Sequence, residues 1–295
     1  MSDILTLQNV SLKYENDFSI KNINLEFETG KIYGLLGRNG AGKTSLLSLM
    51  ASFQPKSGGL IKMNDENIFE NPNAMQHISL IYDKDYREES TKVEQFLKFE
   101  ERYRPYYDPD YADYLIKKFS LPVDQPLNKL SKGMQSTFNV IIGLASRTPL
   151  TIFDESYLGM DAPTREIFYE ELLEDQANHP RIIIVSTHLV SETDHLFDEV
   201  IILHQGEILL QESYDNLLIK GTSVTGATET VDAFIQDRRI IHEKQLAGSK
   251  TAIIFERLTY DERTLAKEQG LKTGKVNLQE LFTHLTKEGE KEHES

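Results

Sequence analysis

The 295-residue sequence predicts an α/β fold: a mixed, largely parallel sheet core covered by helices, with an antiparallel β subdomain ahead of it, a helical insertion within it and a small α/β appendage behind it. Three observations carry that expectation. The runs Leu150–Phe153 and Ile182–Val185 are apolar without an alternating polar face, as strands buried on both sides must be. These runs, with Lys31–Leu36 and Ile78–Tyr82, are separated by helical segments. Finally, Lys31–Leu36 leads through Gly37-Arg38-Asn39-Gly40-Ala41-Gly42-Lys43-Thr44 into the apolar helical stretch Ser45–Met50, the strand–loop–helix context of a phosphate-binding loop.

In chain order, Leu5 to Tyr14 and Ile20 to Phe27 read as antiparallel strands. The phosphate loop and its helix follow, then the strand Ile78–Tyr82. The segment from about Arg87 to Leu130 is charged and rich in aromatic residues, with helical runs at Val93–Glu101 and Tyr111–Phe119. With the helix Gln135–Ala145 it forms a helical subdomain over about 87–145. The strand Leu150–Phe153, the helix Thr164–Gln176 and the strand Ile182–Val185 restore the α/β alternation, and Val200–Leu203, Gly206 and Ile208–Leu210 read as a late hairpin. Beyond about Leu217 the character changes. Gly221-Thr222-Ser223-Val224-Thr225-Gly226 has the small, polar composition of a linker. A helix (Glu229–Gln236), strands (Arg239–Glu243 and Thr251–Phe255), a second helix (Tyr260–Gln269) and an amphipathic helix (Leu278–Leu285) are expected after it. The tail Glu288–Ser295 is expected to be solvated and frayed. Two domains result, 1–217 and 218–295.

Charge and composition narrow the function classes. The formal net charge is −15. Residues 213–295 carry 14 acidic and 12 basic side chains, so the excess of acid sits in the first 212 residues. Affinity for a phosphate backbone comes from Lys and Arg, so nucleic acid is not expected as a partner. The absence of cysteine excludes disulfides and cysteine catalysis and fits a reducing compartment. The start Met1-Ser2-Asp3-Ile4 lacks the pattern of a secretion signal. No apolar run approaches the roughly 18 to 20 residues that span a bilayer, and a cytoplasmic location is expected.

Four motifs carry the chemistry. In the phosphate loop, glycines let successive backbone N–H groups point at phosphate oxygens, and the positive end of the following helix adds to the field. Lys43 can reach the outer phosphates and Thr44 can ligate Mg²⁺. At the end of a buried strand, Leu150-Thr151-Ile152-Phe153-Asp154-Glu155 delivers two adjacent carboxylates. Asp154 can hold the metal's hydration shell, while Glu155 can polarise an attacking water as general base. Ser186-Thr187-His188 ends a second buried strand 33 residues after Glu155, where an imidazole can sense the terminal phosphate. Leu130-Ser131-Lys132-Gly133-Met134-Gln135 precedes a helix and offers another cradle of N–H groups. Taken singly, each later motif has a plain structural reading: a solvated strand end for Asp154-Glu155, a structural histidine, an ordinary N-cap at Ser131.

Together, in this order and spacing, these residues resemble the ATP-binding-cassette ATPases over roughly residues 4 to 217. The resemblance implies ATP and Mg²⁺ as ligands, bound in the loop Asn39, Gly40, Ala41, Gly42, Lys43, Thr44 and Ser45. It implies two cassettes packed head to tail, with Ser131, Gly133 and Gln135 touching the partner's ATP and Asp161, in Gly159-Met160-Asp161, coupling the two sites. It places Tyr14 where an aromatic stacks on adenine, the alternative being an aromatic on a sheet edge. Two departures stand out. Met134 occupies the position of a usual glycine and shifts Gln135 by one place. Asp83 stands where a glutamine usually contacts Mg²⁺, the alternative being a plain loop residue.

Both departures, with the ending Asn277-Leu278-Gln279-Glu280-Leu281-Phe282, look like the bacterial exporter branch that includes antimicrobial-peptide and multidrug-resistance ATPases. That resemblance implies an ATPase subunit peripheral on the inner face of the cell membrane. Its partners would be a second cassette, identical or related, and an integral-membrane permease docked beside Asp83 and the helical insertion. The rival class is a soluble or regulatory cassette ATPase outside transport. The two-cassette translation type and the coiled-coil or zinc-bearing repair type do not fit one cassette without cysteine.

Overall fold

Three sheets organise the described residues of the computed structural model, which covers 3–14 and 17–293 (Asp17 and 288–293 by backbone alone). Met1, Ser2, Glu15, Asn16, Glu294 and Ser295 lie outside it. The chain begins β1 (Ile4–Tyr14), β2 (Asp17–Glu28), β3 (Ile32–Leu36), α1 (Lys43–Met50), β4 (Gly58–Met63), β5 (Glu66–Asn67), α2 (Pro72–Met75) and β6 (Ile78–Tyr82). It continues α3 (Val93–Tyr103), α4 (Pro109–Lys118), α5 (Lys132–Ser146), β7 (Leu150–Asp154), α6 (Ala162–Asn178), β8 (Ile182–Thr187), α7 (Val190–Thr193), β9 (Glu199–His204) and β10 (Glu207–Ser213). Then come α8 (Tyr214–Lys220), β11 (Gly221–Ala227), α9 (Thr228–Ile235), β12 (Ile240–Leu246), β13 (Ser249–Phe255), α10 (Tyr260–Glu268), β14 (Lys272–Lys275) and α11 (Leu278–His293).

The central sheet has the order β10-β9-β3-β8-β7-β6, parallel except for the hairpin strand β10. Runs such as Ile182–Val185 in β8 and Val200–Leu203 in β9 are apolar because both faces are covered. Ile183, Val185, Val200 and Ile202 point into the core shared with α5 and α6, while Ile182, Ile184, Ile201 and Leu203 point into the core shared with the first sheet. That two-residue alternation between two dry faces is why no polar pattern is visible in the sequence. The first sheet, β2-β1-β4-β5, is antiparallel, and α1 lies in the core between it and the central sheet. The parallel strands β3, β7 and β8 all end at one edge, where their polar end residues collect.

The expected linker Gly221–Gly226 is instead β11, an inner strand of the third sheet, β12-β13-β11-β14. Small residues are there for packing. A Cβ on Gly221 would come 2.8 Å from Leu281 of α11, and one on Gly226 2.5 Å from Leu271. The order β11-α9-β12-β13-α10-β14 is a βαββαβ unit, all antiparallel. One face packs on α9 and α10 through Val224, Val231, Ile254 and Ala266. The other face, with Ile241, Ile253 and Val276, meets Leu278, Leu281 and Leu285 of α11, and α11 continues the core of Val190, Phe197 and Val200. The backbone of the expected frayed tail is helical to His293; Glu294 and Ser295 lie outside the described residues. No helix among the described residues is long and apolar enough to cross a membrane.

Candidate functional site

The loop after β3 is built by glycine. Gly40 (φ 82°) and Gly42 (φ 104°) are left-handed, a region costly for residues with a Cβ. A Cβ on Gly42 would also come 2.8 Å from the Ser19 carbonyl, and one on Gly37 2.8 Å from that of Leu203. The chain thus curls tightly beneath an open space of about 460 Å³ bordered by Ser19, Asn39, Gly40, Lys43, Thr44 and Glu155. No side chain caps the start of α1, so its first N–H groups remain available to a ligand. Lys43 is 7% exposed; its Nζ donates to the Gly37 carbonyl (2.8 Å) and lies 3.5 Å from Glu155 Oε1.

Asp154 and Glu155 part at the end of β7. Asp154 is buried and accepts a hydrogen bond from Ser186 Oγ on β8 (2.5 Å). Glu155 has φ +49°, an unusual conformation for a residue with a side chain, and one that recurs at functional sites. Its carboxylate lies within reach of Lys43 and 3.1 Å from His188 Nδ1. His188 follows β8 in a turn fixed by Leu189 N–H donating to Thr187 Oγ1 (2.9 Å). It borders a second cavity, about 550 Å³, with Asn39, His204, Gln205 and Phe282. Lys43, Glu155 and His188, far apart in sequence, therefore form one polar cluster at the loop.

The remaining candidates lie around this cluster rather than in it. Ser131 caps α5, accepting from Met134 N–H (3.3 Å), and a Cβ on Gly133 would come 3.1 Å from the Gly159 carbonyl. Asp161 caps α6, accepting from Thr164 N–H (3.0 Å); the Thr164 hydroxyl first, and this N–H second, lower its carboxyl pKa. Neither cap borders the phosphate-loop cavity. Gln135 turns inward, where its amide donates to the carbonyls of Leu127 (3.1 Å) and Leu130 (3.4 Å). Asp83 is ion-paired with Lys132 and does not border the cavity either. Tyr14 keeps an exposed ring, and its hydroxyl donates to Gln54 Oε1 (2.6 Å), whose amide donates to the Ser45 carbonyl (3.4 Å).

Three neighbours escaped the sequence reading. Ser19 reaches the site from β2, donating to Ser45 Oγ (3.0 Å), with no motif to mark it. Ser186 had a signal, being the first residue of the Ser-Thr-His strand end. Phe282 comes from α11, 94 residues after His188, and only the packing of the third sheet shows it. A further cleft of about 210 Å³ opens between β6 and the insertion helices, bordered by Phe53, Tyr82, Tyr86, Phe96 and Arg104.

Residues 20–157 match the family described as ABC transporter. The chain is 24% identical over 283 residues to the ABC transporter ATP-binding protein YtrB of Bacillus subtilis (strain 168), covering 95% of this chain and 97% of that one. It is 32% identical over 220 residues to the energy-coupling factor transporter ATP-binding protein EcfA1 of Thermotoga maritima, covering 68% and 77%. A solved ATP-binding subunit of an ABC transporter superposes with a TM-score of 0.66 at 22% identity, over 72% of this chain and 91% of that one. Other matches include proteins named for bacitracin and for choline transport and a cassette solved as a dimer with ADP and Pi.

Proposed function

The chain belongs to the ABC transporter ATP-binding family, and from that membership we propose that it powers an exporter by ATP-driven pairing of two cassettes. It is an ABC ATPase, the ATP-binding subunit that couples hydrolysis to transport. The observation that supports the residue assignments best is the cluster of Lys43, Glu155 and His188 at the phosphate loop, with separations of 3.5 and 3.1 Å.

In this reading the N–H groups from Asn39 to Ser45 hold the phosphates, and Lys43 exchanges its bond to the Gly37 carbonyl for the outer phosphate oxygens. Glu155 takes the proton of the attacking water, and His188 steadies its carboxylate and touches the terminal phosphate. Tyr14 offers its ring to the base. Ser131 and Gly133 present their cradle to the ATP of a second cassette, and Asp161, beside them through Gly159, reports across the interface. Gln135 is reassigned from ATP contact to bracing the turn, since its amide is spent on Leu127 and Leu130.

Mg²⁺ fits the oxygen donors present. Thr44 is exposed in the cavity and one oxygen of Asp154 is free of Ser186, but the described residues hold no cluster of acids that could bind a metal without the nucleotide's phosphates. When bound, the ion would neutralise charge on the phosphates. Asp83 reaches such an ion only after leaving Lys132.

The aromatic cleft beside β6, about 210 Å³, could receive an apolar side chain projecting from a docked permease segment. The exporter reading draws on the Leu-Ser-Lys-Gly-Met sequence and on the match to a protein named for bacitracin transport; the match to one named for choline transport supports uptake as the second reading. Affinity purification of the tagged chain from detergent-solubilised native membranes tests the proposal. A multi-helix membrane protein in near-stoichiometric yield is expected, and its reconstitution in vesicles gives the direction. Recovery of soluble proteins alone would overturn the exporter assignment.

A further inference from the structure

A cavity of about 450 Å³ lies where α8 meets the third sheet, lined by residues well after the four motifs of the nucleotide site. Its size is that of a small-molecule site, and its lining includes the apolar Val276, buried, Leu218, half-buried, and Ile219, exposed. The charge at its rim is the informative feature. Arg263 and Lys275 are both among its lining residues and no Asp or Glu is, in a chain with 47 acidic residues and a net charge of −15. Arg263 is held by its Nε donating to the Leu258 carbonyl (3.3 Å), which leaves the rest of the guanidinium unspent, and neither cation has an acidic partner among the described residues. Two cations beside apolar lining residues suit an anion with an apolar body.

The walls of this cavity lead to the nucleotide site. Val276 and Asn277 line it, and Asn277 Oδ1 accepts from Glu280 N–H (2.8 Å) at the start of α11. Leu281 of the same helix lies over Gly221, another lining residue, and the next residue, Phe282, borders the cavity that contains Asn39 and His188. Tyr214, also a lining residue, donates through its hydroxyl to Asp194 (3.3 Å), the residue after α7. Asn277, whose side chain holds the first turn of α11, thus lines one cavity, and Phe282 of that helix borders the other.

We propose that the cavity between α8 and the third sheet binds a small amphipathic carboxylate, and that α11 couples its occupancy to ATP binding. The cations take the carboxylate, the apolar lining residues take the apolar chain, and any shift of α11 moves Phe282 against the phosphate loop. The binding half stands on the cavity alone; the coupling half rests on the ATP site. The two are separated by measuring ATP affinity first without the added anion.

Octanoate is a suitable probe, titrated calorimetrically into the full chain. One site per chain is expected, with 1-octanol at least about 10-fold weaker, the difference of one charge-assisted contact. The double variant Arg263→Glu, Lys275→Glu, both at exposed positions, is expected to lose octanoate affinity at least about 10-fold while binding ATP as the parent does. At saturating octanoate, ATP affinity is expected to change at least about 5-fold, and ATP to change octanoate affinity by the same factor. No octanoate binding tighter than about 1 mM, equal binding of octanol, or undiminished binding by the double variant would overturn the site. An unchanged ATP affinity at saturating octanoate would overturn the coupling.

Discussion

The edge of the central sheet and the third sheet are built on opposite logic. At the central edge, parallel strands ending side by side bring Lys43 and His188 within a few ångströms of Glu155 and bond Asp154 to Ser186, so each is held by a named partner. In the third sheet, the inner strand pairs through Gly, Thr, Ser and a few apolar residues, and a cavity beside it is assembled from residues scattered between 214 and 277. Chemistry on a triphosphate tolerates few residue types, so the first region announces itself. A packed scaffold with an adaptable pocket tolerates many, so the second does not.

The comparison is sharpened first by Glu155→Gln. Turnover should fall about 10² to 10⁴-fold, the range for removing a general base, with ATP affinity retained. Turnover close to wild type would take Glu155 out of the cluster. Lys43→Ala should weaken ATP binding about 100-fold through lost charge-assisted bonds; an equilibrium titration showing wild-type affinity would remove the loop from the nucleotide site.

On the other side of the comparison, Gly226→Val should leave nucleotide binding intact and destabilise the third sheet by roughly 1 to 3 kcal/mol, the range for overpacking. The added atoms meet Leu271 and Val231, whose atoms would lie 2.5 and 3.6 Å from the new Cβ. Denaturant unfolding monitored with and without ATP reads both effects; a loss of ATP binding equal to that of Lys43→Ala would show that the two regions do not separate.

The smallest effect concerns His284, whose ring stacks on His242 with centroids 3.9 Å apart. Burial lowers its pKa from the ordinary 6.5, with the nearby His242 and Lys287 acting in the same direction and Glu280 against them. The unfolded chain therefore binds the proton more readily than the folded one. Stability from this group is intact above pH 6.5 and is lost as pH falls through the lowered folded value. Thermal melts at pH 7.5 and 5.5 should show a steeper loss in the wild type than in His284→Asn, and parallel losses would refute the assignment.

These contrasts explain how much was legible from the residues. The doubly buried strands betrayed themselves by uninterrupted apolar runs, and the loop by its glycines. Gly221–Gly226 misled because small residues that admit Leu281 and Leu271 look, in sequence, like a linker. The Lys132–Asp83 pair and the inward turn of Gln135 depend on side-chain choices between elements 49 and 8 residues apart, which no local pattern records. Ser19 and Phe282 arrive at the site only through tertiary packing.

The central claim, that ATP closes two cassettes on each other, is tested most directly by light scattering of Glu155→Gln, alone and with any related cassette that co-purifies, with and without ATP. The account predicts a monomer without nucleotide and a dimer, with itself or with that cassette, when ATP saturates the uncleaving variant, with Ser131→Arg in the facing cradle preventing the dimer. Monomers in both settings at saturating ATP, with nucleotide shown to be bound, would contradict it.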